Sequence, residues 1–127
     1  MENFNYEPYV RSLVKFMVKN EFTVKPLPDI VLNTKKQDGF FINTGNYIHS
    51  ENKVTLYING RHPKDVLRSL AHELIHHKQF ADGRLTDEMC EEPEITKNDI
   101  LAPFEGEAFL LGNLAFRTWT ELNNNEN

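Results

Sequence analysis

The chain has 127 residues, 39% of them hydrophobic and 26% charged, which is typical of one globular domain. Its formal net charge of −5 comes without a basic stripe, so nucleic acid is not an expected partner. No apolar run is long enough to cross a membrane, the first residues lack a secretory signal pattern, and the single Cys90 fits a reducing, cytoplasmic compartment. We assign the domain to residues 1–122 and expect the Asn-rich residues 123–127 to form a disordered tail.

The first half of the chain predicts one helix followed by short strands. An apolar stripe of helical period indicates a helix from Tyr6 to Asn20, and prolines separate it from the β-branched run Ile30–Leu32. Further strand candidates are Gly39–Asn43, Tyr47–His49 and Lys53–Asn59, the last with apolar and polar residues in alternation. With turn-rich segments between them, we expect these strands to form a small, mostly antiparallel sheet.

The second half predicts two longer helices joined by an acidic segment. Pro63 suits the first position of one helix, and Pro103 suits the first position of a final helix that runs to Leu122. Between the helices, residues 82–102 carry seven acids against two basic residues, and we expect a long, solvated loop there. Its acids could bind a second divalent cation, but they lack the alternating spacing of a calcium loop. The order of elements indicates an α+β fold.

The run His72-Glu73-Leu74-Ile75-His76 carries the clearest functional signal. An α-helix advances about 100° per residue, so His72 and His76 project from one face, one turn apart. The side roughly opposite carries an apolar stripe that should pack on the core, formed by Val66, Leu67, Leu70, Ala71 and Leu74. Two imidazoles at this spacing can bind one Zn²⁺, and Glu73, on the flank of the same face, can act as a general base toward water. His77 lies about 100° further round, so we expect it at the surface or behind the ligands.

A catalytic zinc usually has three protein ligands, and the final helix offers two carboxylates for the third position. By helical angle Glu105 borders the apolar stripe of that helix, where a carboxylate would carry a desolvation cost that metal coordination could offset. Gly106 beside it would leave room for a close approach. Glu107 falls on a more exposed face, where it could pair with Arg117 or another basic residue. The predicted zinc ligands are therefore His72, His76 and Glu105.

An H-E-x-x-H helix with a Glu on the next long helix resembles the gluzincin group of zinc metallopeptidases. The segment Glu105-Gly106-Glu107-Ala108 is similar to the Glu-x-x-Ala segment that opens the final helix of small antirepressor-cleaving zincins, although the usual Ala-Asn-x-Phe-Ala continuation is missing. From about Ile30 to Trp119 the chain also resembles zincin-like proteins of tailed bacteriophages. This resemblance is carried by the run from Lys64 to His77 with Gln79 behind it, and by the ending Glu107-Ala108, Gly112-Asn113, Phe116-Arg117 and Trp119. The resemblance implies a minimal zincin-like domain, bound Zn²⁺, a peptide or protein substrate, and a location in the cytoplasm or the virion.

The resemblance also implies where a substrate would lie. Zincins hold an extended peptide along the sheet edge beside the active-site helix, a role that Gly39–His49 or Lys53–Asn59 could have here. A polar side chain usually stabilises the oxyanion. The candidates for that role are Tyr47, His49, Tyr57 and His62.

Two other functions fit the same motif. In a structural zinc domain, a fourth protein ligand such as His49 would close the site. In a zincin-fold phage structural or binding protein, zinc would be bound with little turnover. The intact Glu73 favours a zinc metallopeptidase in which it is the general base, because a purely structural site needs no carboxylate there.

Overall fold

A computed structural model describes residues 4–40 and 42–125. Within these ranges the chain forms four α-helices and three β-strands, a mixed architecture compatible with the predicted α+β class. None of the described helices is both long and apolar enough to cross a membrane. The elements in chain order are α1 (Glu7–Lys19), β1 (Asp29–Asn33), β2 (Gly45–Ile48), a short 3-10 helix (His49–Glu51), β3 (Lys53–Tyr57), α2 (Pro63–Ala81), α3 (Asp87–Cys90) and α4 (Glu94–Asn125).

The three strands form one mixed sheet in the order β1-β3-β2. β3 pairs in parallel with β1, where Ile30 lies opposite Val54, and antiparallel with β2, where Tyr47 lies opposite Val54. The expectation of a mostly antiparallel sheet is therefore wrong, because the connection after β1 carries the chain across to the far side of β3 before β2 begins. In β3, buried Val54 and Leu56 alternate with less buried neighbours, which confirms the predicted period of two.

The strand predicted at Gly39–Asn43 is absent from the described residues of that segment, and Phe41 lies outside them. Phe40 and Ile42 are 101% and 55% exposed, so these apolar side chains have no sheet face to pack against. The segment is a connection instead. The Gln37 side chain closes it by exchanging two hydrogen bonds of 2.9 Å with the backbone of residue 43.

Helix α2 is the central element, in contact with α1, α4 and the sheet. Pro63 takes its first position, and His62 precedes it as a cap, with Nδ1 accepting from the backbone N–H of Lys64 at 3.1 Å. His62 therefore has a structural role at the start of the helix. The apolar stripes predicted for the first two long helices are buried in one core with β3 and α4. They include Leu13, Val14 and Met17 in α1, and Val66, Leu67, Leu70, Ala71 and Leu74 in α2.

The final helix is longer than predicted. α4 begins at Glu94 and contains Pro103 within it, so residues 82–102 are not one long loop but a turn, α3 and the first turns of α4. The proline removes one intrahelical hydrogen bond, and the carbonyl that it leaves without this donor belongs to Asp99, an exposed residue. The seven acids of this segment are exposed, as expected. The helix continues through Asn125, within the segment 123–127 expected as a tail, and residues 126–127 lie outside the described part.

Candidate metal centre

His72 and His76 lie on the same side of α2, one turn apart. Their imidazole centroids are 4.9 Å from each other, with the ring planes at 82°. The two side chains are only 16% and 12% exposed, so each ring is held by its surroundings. In both residues it is the Nε2 atom that faces α4.

Helix α4 passes α2 at this point and brings Glu105 to the two histidines. Glu105 Oε1 lies 2.5 Å from His76 Nε2 and 3.8 Å from His72 Nε2. The three potential ligand atoms all lie within 4.8 Å of one another, and the described residues contain no second group of this kind. The structure therefore brings together the three predicted ligands and leaves Glu107 outside the group.

These atoms suit a divalent cation. The proximity of His72 and His76 holds the pKa of the Glu105 carboxyl far below its usual range, so the carboxylate is ionised at neutral pH. Two imidazoles and one carboxylate form a donor set typical of catalytic zinc. Ligand distances of about 2.0–2.1 Å around a tetrahedral ion place neighbouring donor atoms about 3.3–3.4 Å apart. The observed separations of 2.5 and 3.8 Å lie on either side of that value.

Position rather than desolvation distinguishes the two glutamates. The side chain of Glu105 is 52% exposed and that of Glu107 only 28%, the reverse of the expected order. The expected close approach at Gly106 is also absent, since a Cβ atom there would meet nothing within 4 Å. Glu107 pairs with Arg84 and not with Arg117, through hydrogen bonds of 2.9 Å to each carboxylate oxygen.

Glu73 lies between the two histidines in the sequence. It is buried, with 8% of its surface exposed. This burial raises the pKa of its carboxyl, and the charges of His72 and His76 only partly offset the effect. Its Cγ would lie 3.5 Å from a Cβ atom at Gly45, an ordinary contact distance, so β2 passes beside the Glu73 side chain. A carboxyl with a raised pKa is suited to accept and release a proton near neutral pH.

The potential ligands and Glu73 line one open cleft of about 750 Å³. Residues 44–47, at the start of β2, form one wall. Helix α4 forms another, where the ring of Phe109 lies 4.6 Å from that of His72 and remains 60% exposed. The cleft therefore combines a strand, a carboxylate, possible metal ligands and an apolar surface.

Arg61 fixes the strand beside this cleft. Its guanidinium donates to the carbonyls of Thr44 at 2.8 Å, Tyr57 at 2.7 Å and Asp65 at 3.0 Å, and to the hydroxyl of Ser69 at 2.8 Å. One side chain thus ties together the chain before β2, the end of β3 and the first turns of α2. Nothing in the sequence pattern distinguishes this arginine from one at the surface.

Two other histidines have structural contacts. His49 stacks on Phe80 with ring centroids 4.3 Å apart, and it is not part of the ligand group. His77 is 6% exposed, so of its two expected places, at the surface or behind the ligands, the surface is wrong. Its Nε2 donates to the carbonyls of Val24 and Pro26, at 3.1 and 2.8 Å, and therefore anchors α2 to the segment before β1.

Among the oxyanion candidates, Tyr47 is the one that lines the cleft within the described residues. Since Nε2 of His77 carries a proton, Nδ1 is left to accept from the Tyr47 hydroxyl, 3.0 Å away. The hydroxyl proton of Tyr47 is thus already engaged by His77.

Comparisons with protein-family models, curated proteins and solved structures find no match to this chain. The functional conclusion therefore depends on the residues and geometry of the metal centre.

Proposed function

We propose that this protein is a zinc-dependent metallopeptidase with a minimal zincin-like fold, in which His72, His76 and Glu105 hold the metal and Glu73 is the general base. The observation that carries the proposal is the convergence of three potential ligands and one buried carboxylate in a single open cleft. Two histidines and a glutamate in this arrangement are the donor set of hydrolytic zinc sites.

Bound zinc would supply Lewis-acid activation of water and polarisation of the scissile carbonyl. A carboxylate oxygen of Glu73 accepts a proton from the attacking water as the water oxygen adds to the carbonyl carbon. It then passes this proton to the amine nitrogen as the C–N bond breaks. The burial that raises the pKa of Glu73 suits both transfers, because the carboxyl then binds and releases a proton closer to neutral pH.

An extended peptide fits best along β2. The strand order β1-β3-β2 leaves β2 at the edge of the sheet, while both edges of β3 are paired. This favours Gly39–His49, which contains β2, over Lys53–Asn59. An edge strand offers unpaired backbone groups to which a peptide can add as a further strand. The exposed ring of Phe109 would then contact an apolar side chain of the substrate.

The geometry favours an enzyme over a structural zinc domain. A structural site is usually closed by four protein ligands, whereas the group formed by the described residues has three. His49, the expected fourth ligand of that alternative, instead stacks on Phe80. A three-ligand group in an open cleft supports a position for water and substrate.

Zinc reconstitution followed by incubation with a mixture of peptides, read by mass spectrometry, tests this proposal. We expect about one zinc per chain and peptide hydrolysis by the wild-type protein, and zinc without appreciable hydrolysis in Glu73→Gln. Zinc binding without hydrolysis by the wild type would favour the alternative of a zinc-binding protein with little turnover. A wild-type protein that binds no zinc would contradict the proposal.

A further inference from the structure

Gln79 is a buried polar side chain one turn beyond His76 on α2, and it is 1% exposed. Its amide oxygen lies 2.8 Å from His76 Nδ1. Its amide nitrogen lies 3.0 Å from the backbone oxygen of Phe104 and 3.0 Å from Glu107 Oε1, both on α4. The side chain therefore connects a potential metal ligand to the neighbouring helix.

These partners determine the direction of each hydrogen bond. The carbonyl of Phe104 and the carboxylate of Glu107 can only accept, so the amide nitrogen must face them and the amide oxygen must face His76. An amide oxygen also only accepts, so the proton between the two side chains is on His76 Nδ1. The Nε2 atom of His76 is consequently the one available to a metal, and it is the atom that faces Glu105.

The orientation of Gln79 is itself held by a further contact. Arg84 donates to both oxygens of Glu107 at 2.9 Å, and its guanidinium lies 5.7 Å from the centre of the Phe104 ring. The backbone N–H of Arg84 also donates to the backbone oxygen of Gln79 at 3.1 Å. A continuous series of contacts therefore runs from Arg84 through Glu107 and Gln79 to His76.

We propose that Gln79 is a positioning residue that keeps a proton on Nδ1 of His76 and so presents Nε2 to the metal. Glu107 and Arg84 hold the Gln79 amide in the orientation that this requires. The inference rests on the proposed zinc site.

An amide needs this support more than a carboxylate would. Rotated by 180°, the Gln79 amide would turn an N–H group toward His76 and favour the proton on Nε2, where it blocks metal binding. The two acceptors on α4 disfavour that rotation, because it would place the amide oxygen against the Glu107 carboxylate and the Phe104 carbonyl. Loss of such an outer hydrogen bond lowers metal affinity about 10- to 100-fold.

Two variants separate positioning from simple attachment of α2 to α4. Gln79→Met and the double variant Gln79→Glu with Glu107→Gln both lose the hydrogen bond donated to the Phe104 carbonyl. The double variant keeps the net charge and an oxygen toward His76, whereas the methionine substitution offers no such acceptor. Arg117→Met, which removes an exposed pair with Glu121 on the same helix, is the control.

Zinc affinity is measured by competition with a chelator of known affinity, and the His76 Nδ1–H signal by NMR in zinc-loaded and metal-free protein. We expect Gln79→Met to bind zinc about 10- to 100-fold more weakly and to lose the slowly exchanging Nδ1–H signal. The double variant should keep the signal and lose less zinc affinity than Gln79→Met, and Arg117→Met should change neither.

Equal losses of affinity in Gln79→Met and the double variant would identify a mere attachment between helices and overturn the inference. Unchanged zinc affinity in Gln79→Met would overturn it as well. A wild-type protein that binds no zinc would instead overturn the proposed function. The spectra of metal-free protein then test the His76–Gln79 hydrogen bond separately. An Nδ1–H signal that is present in the wild type and lost in Gln79→Met supports this bond, whereas absence of the signal from the wild type contradicts it.

Discussion

Gly112 of α4 lies directly against the backbone of His72 on α2, where a Cβ atom at position 112 would be 3.0 Å from His72 Cα and 3.1 Å from its nitrogen. Glycine puts no side chain at this crossing, so α4 approaches the ligand-bearing turn of α2 closely. Glu105 lies two turns earlier on α4. The approach at Gly112 therefore sets the separation at which Glu105 meets the two histidines.

Gly112→Ala should separate the helices and weaken the site. The added methyl group would press on rigid backbone atoms, so we expect a loss of about 1–3 kcal/mol in the free energy of unfolding, together with weaker zinc binding. Gly106→Ala is the matched control on the same helix, because a Cβ there meets nothing within 4 Å. It should stabilise the helix by about 0.5–1 kcal/mol and leave zinc affinity unchanged. Denaturant unfolding and zinc titration check this. Equal stability and equal zinc affinity in Gly112→Ala and Gly106→Ala would contradict the expectation.

Removal of a ligand should affect zinc more than removal of Glu107. Loss of a residue that only hydrogen-bonds to a ligand lowers metal affinity about 10- to 100-fold. Glu105→Ala and His76→Ala should each lower zinc affinity by more than this. Glu107→Ala should fall within or below that range, because this residue acts on His76 only through Gln79. The increase in the free energy of unfolding on zinc binding should likewise be smaller in Glu105→Ala and His76→Ala than in Glu107→Ala. Chelator competition decides between the carboxylates, and a larger loss in Glu107→Ala would show that Glu105 is not the ligand.

Glu73→Gln should separate catalysis from metal binding. The substitution is nearly isosteric and removes the proposed base but no proposed ligand, so zinc content should stay near that of the wild type. Peptide hydrolysis should fall by about two to four orders of magnitude. Metal analysis beside a turnover assay checks both expectations. Loss of zinc in this variant would mean that Glu73 is a ligand.

The same substitution should change the pH dependence of stability in the metal-free protein. Burial raises the pKa of Glu73 above its ordinary value of 4.5. Below that value both the folded and unfolded states are protonated and no penalty arises; as pH rises, the unfolded state ionises first and the folded state is destabilised. Metal-free Glu73→Gln should thus melt at a higher temperature than the wild type at about pH 8, with the difference shrinking toward about pH 4. Thermal melts of chelator-treated protein at several pH values check this, and a constant difference would contradict it.

The parts of the site that follow from local helical geometry were predictable from the sequence. The spacing of His72 and His76 fixes their common face on any helix, and the apolar stripe opposite them identifies that helix as packed on a core. Glu105 was found by its angle on α4, although its side chain is more exposed than that of Glu107, the reverse of the order that supported the choice. Its role as a potential ligand comes from where the two helices meet.

The parts that depend on distant segments were not predictable in the same way. Parallel pairing of β1 with β3 depends on the path of residues 34–44, whose exposed Phe40 and Ile42 look like strand residues in the sequence. The contacts of Gln79 join residues 25 and 28 positions apart. A single sequence carries no periodic signal for such pairs.

Pro103 divides α4 into two parts that should unfold locally and independently of each other. It has no amide proton to bond to the carbonyl of Asp99, and residues before it are largely exposed, with Ile95 at 83%. Deuterium should therefore replace the amide protons of residues 94–102 sooner than those of residues 108–119, which include core positions. Glu105 lies just beyond this boundary. If zinc binds to Glu105, slow amide hydrogen exchange should extend toward Pro103. Metal ligation by this one carboxylate would then be detected as slower exchange of the backbone amides of α4.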